Sequence, residues 1–132
     1  MMRMSARDPN RFLDEWARLV NERNLEGVLA LYDEAAVLIP TFSNRLLDKP
    51  ERIREYFERL NNRDGLAIWL HEKPRLASAI GGGIHALAGI YRWQFAVDDE
   101  LLDFEARFTF VLDLGRKAPI LHHHSSQIPR ML

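Results

Sequence analysis

The sequence predicts an α+β fold in which an antiparallel sheet packs on three N-terminal helices. Two observations carry this. Apolar residues recur at helical spacing through roughly the first 60 positions and then give way to the alternation of half-buried strands. The helices also come first and the strands follow as a meander, which argues against the interleaved units of a parallel sheet. The 132 residues suit a single domain, 1–132, with one core.

Each element has its own warrant. Asp8 is placed to cap the first helix, with Pro9 in the first turn, where a missing N–H costs nothing. Phe12, Leu13, Trp16, Leu19 and Val20 form the apolar stripe of that helix. Asn24 ends it and caps a second, shorter helix carrying Val28, Leu29, Leu31 and Tyr32. Ala36, Val37, Leu38 and Ile39, before Pro40, read as a strand. A third helix opens near Asp48-Lys49-Pro50, and Ile53, Tyr56, Phe57 and Leu60 keep the i, i+3, i+4, i+7 spacing of one buried face. Residues 66–71 and 76–80 flank Pro74, the mark of an interrupted or edge strand. Gly81-Gly82-Gly83 is a turn, and with no helix after it the triplet is not a phosphate loop. Two long strands follow, 84–97 and 101–112, around the acidic turn Asp98-Asp99-Glu100. The last strand covers 120–126. Residues 1–7 are expected to fray, and Met4 offers an alternative start.

Composition removes several functions. A formal net charge of −1 leaves no electrostatic footprint for nucleic acid or an anionic membrane. The absence of cysteine excludes disulfides, thiolate nucleophiles and Cys-based zinc sites. No apolar run approaches the roughly 18 residues of a membrane span, and the N-terminal residues lack the apolar core of a signal peptide. The expectation is a cytoplasmic protein without nucleic-acid, membrane or cofactor partners.

The 84–112 hairpin is the most informative stretch. If Asp99 and Glu100 form a two-residue loop, Arg92 faces Arg107, Gln94 faces Glu105, and Tyr91, Trp93, Phe95, Phe104, Phe108 and Phe110 share the other face. A two-residue slip leaves the faces unchanged. Like charges directly opposite one another are unfavourable unless solvated or sharing an anion, so Arg92 and Arg107 suggest a carboxylate or phosphate site. Parity alone leaves two arrangements open. Either the aromatic face packs on the helices and the arginines meet solvent, or the arginines face the helices and the aromatic row faces another subunit.

In the last strand, alternation puts His122, His124 and Ser126 on one face and Leu121, His123 and Ser125 on the other. A His-x-His pair needs a third ligand to hold zinc, and nothing places His71 or His85 beside it. No metal is expected. Structural histidines, or one acid/base histidine in a pocket, fit better.

Three segments now carry a family resemblance. Glu15-Trp16-Ala17-Arg18-Leu19-Val20-Asn21, then Asn24 to Tyr32, with the helix at 50–60, resemble the opening of the nuclear transport factor 2-like superfamily. Ala86, Gly89 and Tyr91, then Glu105-Ala106-Arg107-Phe108-Thr109-Phe110-Val111, then Ile120-Leu121-His122-His123-His124-Ser125-Ser126, resemble the association domain of calcium/calmodulin-dependent protein kinase II and its stand-alone bacterial relatives. The resemblance implies a cone-shaped, cystatin-like fold with a curved sheet, assembly into homodimers or larger rings, and a pocket lined by arginines. It implies no kinase activity, since no kinase motif is present.

Under that resemblance Arg107 and Arg92 line the pocket, Trp16 and Tyr32 form its apolar side, and His123 or Ser125 supplies a hydrogen bond to a small carboxylate-like anion. The aromatic row then becomes a subunit interface. Two departures stand out. A tryptophan usual in the last hairpin is replaced by Ala118, followed by Pro119. The general-base Asp and oxyanion-donating Tyr of ketosteroid isomerases align with Ile39 and Trp16, and an isoleucine cannot take a proton. The leading expectation is therefore a homo-oligomerising domain binding a small anion. The alternative is a small isomerase, dehydratase or cyclase-like enzyme using a pocket histidine, or Glu105, as acid/base.

Overall fold

Capping residues fix where the helices start. In the computed structural model, which describes residues 8–132, the Asp8 carboxylate accepts from the Arg11 N–H at 2.9 Å and opens helix α1, Pro9–Asn21. The Asn24 side chain accepts from the Gly27 N–H at 2.9 Å and opens α2, Leu25–Leu29. Each satisfies an otherwise orphaned donor of the first turn, an effect worth about 1 kcal/mol. Helix α3, Pro50–Asn61, starts on the proline. The expected fraying at 1–7 lies outside the described residues.

The strands are β1 (Tyr32–Ile39), β2 (Ala67–Gly81), β3 (Ile84–Val97), β4 (Glu100–Asp113) and β5 (Ile120–Gln127). They form one curved, unclosed sheet in the order β1-β5-β4-β3-β2. It is antiparallel except where β1 runs parallel to β5, a mixed edge that the sequence reading did not anticipate. Tyr32 opens β1 instead of closing the second helix, because its hydroxyl has a buried partner on β5. Pro74, after a cis peptide bond, sits in β2, an edge strand whose register shifts between Leu70 and Arg75. An edge is where a residue without an N–H is tolerated. Ile120 starts β5 directly after Pro119, donating its N–H to the Leu31 carbonyl at 2.9 Å. Among the described residues no helix is long and apolar enough to cross a membrane.

The β3–β4 hairpin corrects the expected register. Asp98 and Asp99 both adopt positive φ, 52° and 66°, the demand of a tight two-residue turn. Aspartate tolerates that conformation better than glutamate does. The loop therefore falls on Asp98-Asp99, Arg92 faces Glu105, and Arg107 faces Ile90. The two arginines become diagonal neighbours, not a facing pair.

The same strands correct the assignment of faces. Tyr91, Trp93, Phe95, Phe108 and Phe110 are buried in the core beneath the helices, so the aromatic row is not a subunit interface. Trp16 of α1 stacks on Tyr91 at 5.7 Å and meets Phe110 edge-on at 5.4 Å. Phe12 meets Phe110 edge-on at 5.6 Å. Each large side chain buried in full contributes roughly 1.5–3 kcal/mol, a gain that an outward aromatic row would forgo. Arg92 and Arg107 consequently point away from the helices.

Candidate functional site

The apolar interior contains one polar constellation. His123 and Ser125 are its only buried polar side chains besides tyrosine and tryptophan tips among the described residues. Alternation along β5 puts both on one face, as the strand pattern predicts, and the fold turns that face inward and leaves His124 and Ser126 exposed. The His123 ring stacks on Phe110 with centroids 3.9 Å apart. Its Nδ1 lies 2.9 Å from the Tyr32 hydroxyl and its Nε2 lies 3.2 Å from the Tyr91 hydroxyl. Trp16 Nε1 donates to the Tyr32 hydroxyl at 3.3 Å. Nearby, the Thr41 and Ser125 hydroxyls are hydrogen-bonded to each other.

These partners fix the direction of the chain. The Tyr32 oxygen accepts from Trp16, so the Tyr32 proton is free to be donated to Nδ1. A neutral imidazole with Nδ1 accepting carries its proton on Nε2 and donates it to Tyr91. Burial pushes His123 down to about 3, with smaller contributions from His122 and His124 on either side. Burial also raises Tyr32 and Tyr91 well above the usual tyrosine value. At neutral pH all three are uncharged, which is how a polar cluster persists in a core of this kind.

Beside the network is a small cavity that includes Trp16, Leu38, Thr41, Tyr91, His123 and Ser125 in its wall and leaves about 10 Å³ for the centre of a water molecule. That is room for at most one water. Trp93 also lines it, and its buried Nε1 has no hydrogen-bond partner among the described residues. Such a donor costs about 1–3 kcal/mol until an acceptor reaches it. Thr41 and Tyr56 belong both to this cavity and to a wide outer cleft. The narrow polar cavity and the broad cleft thus lie on either side of these two side chains.

The structure brings Trp16, Tyr32, His123 and Ser125 together beside this cavity. It does not bring Arg92 or Arg107 there. Arg92 lies on the outer face, 4.2 Å over the Trp69 ring and 3.8 Å from the Asp103 carboxylate. Arg107 is exposed on the same face. Glu105, the candidate base of the alternative reading, is also outside, 3.1 Å from His71. Ile39 is not in the cavity wall, but its neighbours Leu38 and Pro40 are, and neither can take a proton. No carboxylate lines the cavity, and no group of three or more histidines and acids suited to a metal occurs among the described residues. Tyr91 and Thr41 were missed from the sequence. Tyr91 had been counted with the aromatic row, although its place between two inward strand positions with a polar tip marks it as a group needing a buried partner.

A curved sheet closing over N-terminal helices around one polar point defines the nuclear transport factor 2-like architecture. Residues 10–131 match the SnoaL-like domain family, and the chain belongs to it. A Xanthomonas campestris protein provisionally named a calcium/calmodulin dependent protein kinase II association domain has a similar structure. Its TM-score is 0.80 and its sequence identity 27%, over 96% of this chain and 92% of its own. A Novosphingobium aromaticivorans protein provisionally named an aromatic ring hydroxylase shares the fold alone, with TM-score 0.77 and 14% identity over 92% of this chain and 87% of its own. No curated protein matches the chain.

Proposed function

We propose that this chain is a self-associating domain that binds a small anionic ligand at the cleft and the adjoining polar cavity, and that it holds the ligand without transforming it. The observation that carries the reading is the Tyr32–His123–Tyr91 network beside a cavity with no carboxylate. A general base works best with a pKa near the operating pH. A histidine held near 3 with both nitrogens engaged is a poor proton acceptor at neutrality. Hydroxyls of Thr41 and Ser125 and the free Trp93 N–H instead offer hydrogen bonds to the tip of a ligand.

Self-association is supported from outside the site. The second half of β2 is a sheet edge that carries exposed apolar side chains, with Leu76 66% and Ile80 64% accessible. An apolar edge of this kind is a template for pairing with another chain. The likeness to a protein named as an association domain points the same way.

Ligand binding is tested by thermal shift and tryptophan fluorescence with a panel of small carboxylates and phosphates. A ligand that binds only the folded chain raises the melting temperature by mass action, and Ser125→Ala should weaken the response. A panel that shifts neither signal at millimolar concentration defeats the reading. So does turnover of any panel compound that is abolished by His123→Phe.

A further inference from the structure

We infer that the mouth of the cleft is the seat for a phosphate group carried on a flat apolar body. This deepens the reading of the chain as a ligand-binding domain and rests on it. The cleft has a volume of about 850 Å³, within the roughly 300–1,000 Å³ typical of small-molecule sites. Four arginines line it, Arg45, Arg52, Arg59 and Arg63, against a single acid, Glu55. Arg52, Tyr56 and Arg59 follow one another at helical spacing along α3, and Arg63 comes just past its end, so the cleft receives two guanidiniums from the helix and a third from the turn after it.

These arginines lack carboxylate partners and share one concave cleft. Arg18, Arg54, Arg75, Arg92 and Arg116 each have a carboxylate partner. Among the described residues, no ion pair or hydrogen bond engages the guanidinium of Arg45, Arg52 or Arg59 (the Arg45 backbone N–H donates to the Ser43 hydroxyl at 3.2 Å), and Glu55 pairs with none of them. Arg63 rests only against an aromatic ring, 5.5 Å over Phe95. The chain as a whole carries a net charge of −1, so the cluster is a local concentration and not a share of a basic surface. Four cations against one acid leave the cleft with an excess of positive charge, and an anion of charge near −2 offsets it. A phosphate monoester carries about that charge and accepts the bidentate forks of arginine.

One side of the cleft is aromatic. Phe42 meets Phe95 at 4.9 Å, Phe104 at 5.2 Å and Trp93 at 5.9 Å, all near-perpendicular. Phe42, Phe95 and Tyr56 therefore offer ring surface beside the guanidiniums. A flat apolar body lies against these rings with its phosphate toward α3. Arg92 of the expected pair is already engaged by the Trp69 ring and the Asp103 carboxylate.

The test is titration calorimetry with 1-naphthyl phosphate, 1-naphthol and inorganic phosphate. Three proteins are compared: the wild type, Arg52→Gln/Arg59→Gln, and the outer-face control Arg92→Gln/Arg107→Gln. All four positions are solvent-accessible, so the variants should fold. The wild type should bind 1-naphthyl phosphate at least about tenfold more tightly than either fragment. The cleft variant should lose about tenfold or more of that affinity, the loss expected for one charge-assisted hydrogen bond. The control should stay within about twofold. An unchanged cleft variant, or an equal loss in the control, overturns the inference. Displacement of 1-naphthyl phosphate by a single-stranded oligonucleotide at lower concentration overturns it too, since the partner is then a nucleic acid. Equal binding of 1-naphthol and 1-naphthyl phosphate by all three proteins leaves the ligand-binding reading standing and removes the arginine seat. No heat with any probe removes both.

Discussion

The Tyr32 hydroxyl and His123 Nδ1 stand 2.9 Å apart although 91 residues separate them in the chain. That hydrogen bond ties the first strand to the last and puts an uncharged imidazole at the centre of the molecule. Its energetic consequences are specific enough to measure.

Acidification should expose the buried histidine. The folded chain protonates His123 only near pH 3, whereas an unfolded imidazole takes its proton below about pH 6.5. Between these values the unfolded state binds more protons. Stability present above pH 6.5 is therefore lost as pH falls, by up to about 1.4 kcal/mol per unit. By pH 4 the loss from this residue should be about 3 kcal/mol on top of ordinary carboxylate effects. His123→Phe should be less stable at neutral pH and less sensitive to acid. Urea unfolding of both proteins from pH 7 to 4 checks this, and parallel curves would count against it.

Tyr32→Phe should destabilise the protein by about 2–6 kcal/mol. The change leaves Trp16 Nε1 without an acceptor and His123 Nδ1 without a donor, each costing about 1–3 kcal/mol when buried. Tyr91→Phe leaves His123 Nε2 without its acceptor, at a cost of about 1–3 kcal/mol. Chemical denaturation ranks the two, and an order reversed between them would mean that the proton directions are wrong.

Gly89 gives a test of packing. A Cβ there would lie 2.8 Å from Phe108 Cζ and 3.3 Å from the Pro74 carbonyl oxygen. The Phe108 ring is buried and stacked on Tyr91 at 4.5 Å, so it has little room to yield. Gly89→Ala should cost about 1–3 kcal/mol as an overpacked site. A variant as stable as the wild type would show that the ring relaxes freely.

Self-association should depend on the exposed edge. Light scattering at micromolar concentration should return at least twice the chain mass of 15.4 kDa, and Leu76→Lys should lower it, since a charge on an edge strand opposes pairing. A monomeric wild type would refute the assembly, and a variant with the mass unchanged would move the interface elsewhere.

Local chemistry was legible in the sequence where one residue decides one conformation. Asp8 and Asn24 announced both caps, Pro74 announced an interrupted or edge strand, and the parity of β5 put His123 and Ser125 on one face. The hairpin register was misread because it hangs on which two of three acidic residues tolerate positive φ. The choice between two faces of that hairpin was also beyond alternation, which gives the faces but not which of them meets the helices. Hydrophobic area settled it against the arginine pocket. The pair formed by Arg52 and Arg59 passed unnoticed because a polar stripe on an amphipathic helix normally means solvent. Its meaning comes only from Phe42 and Phe95, which the fold brings alongside.

The parallel join of β1 to β5 also bears on how the molecule comes into being. Apart from an isolated bridge between Leu38 and Leu47, β1 has a single strand partner, and that partner is the last strand of the chain. During synthesis, Tyr32 must wait through the emergence of three other strands before His123 arrives to receive its hydroxyl. Contacts so distant in sequence slow folding, because their loop-closure entropy is met late. Until then β1 is an open edge beside a half-built core, vulnerable to pairing with a neighbouring nascent chain. The Tyr32–His123 hydrogen bond and the closing of that vulnerability are thus completed in the same step, as β5 leaves the ribosome.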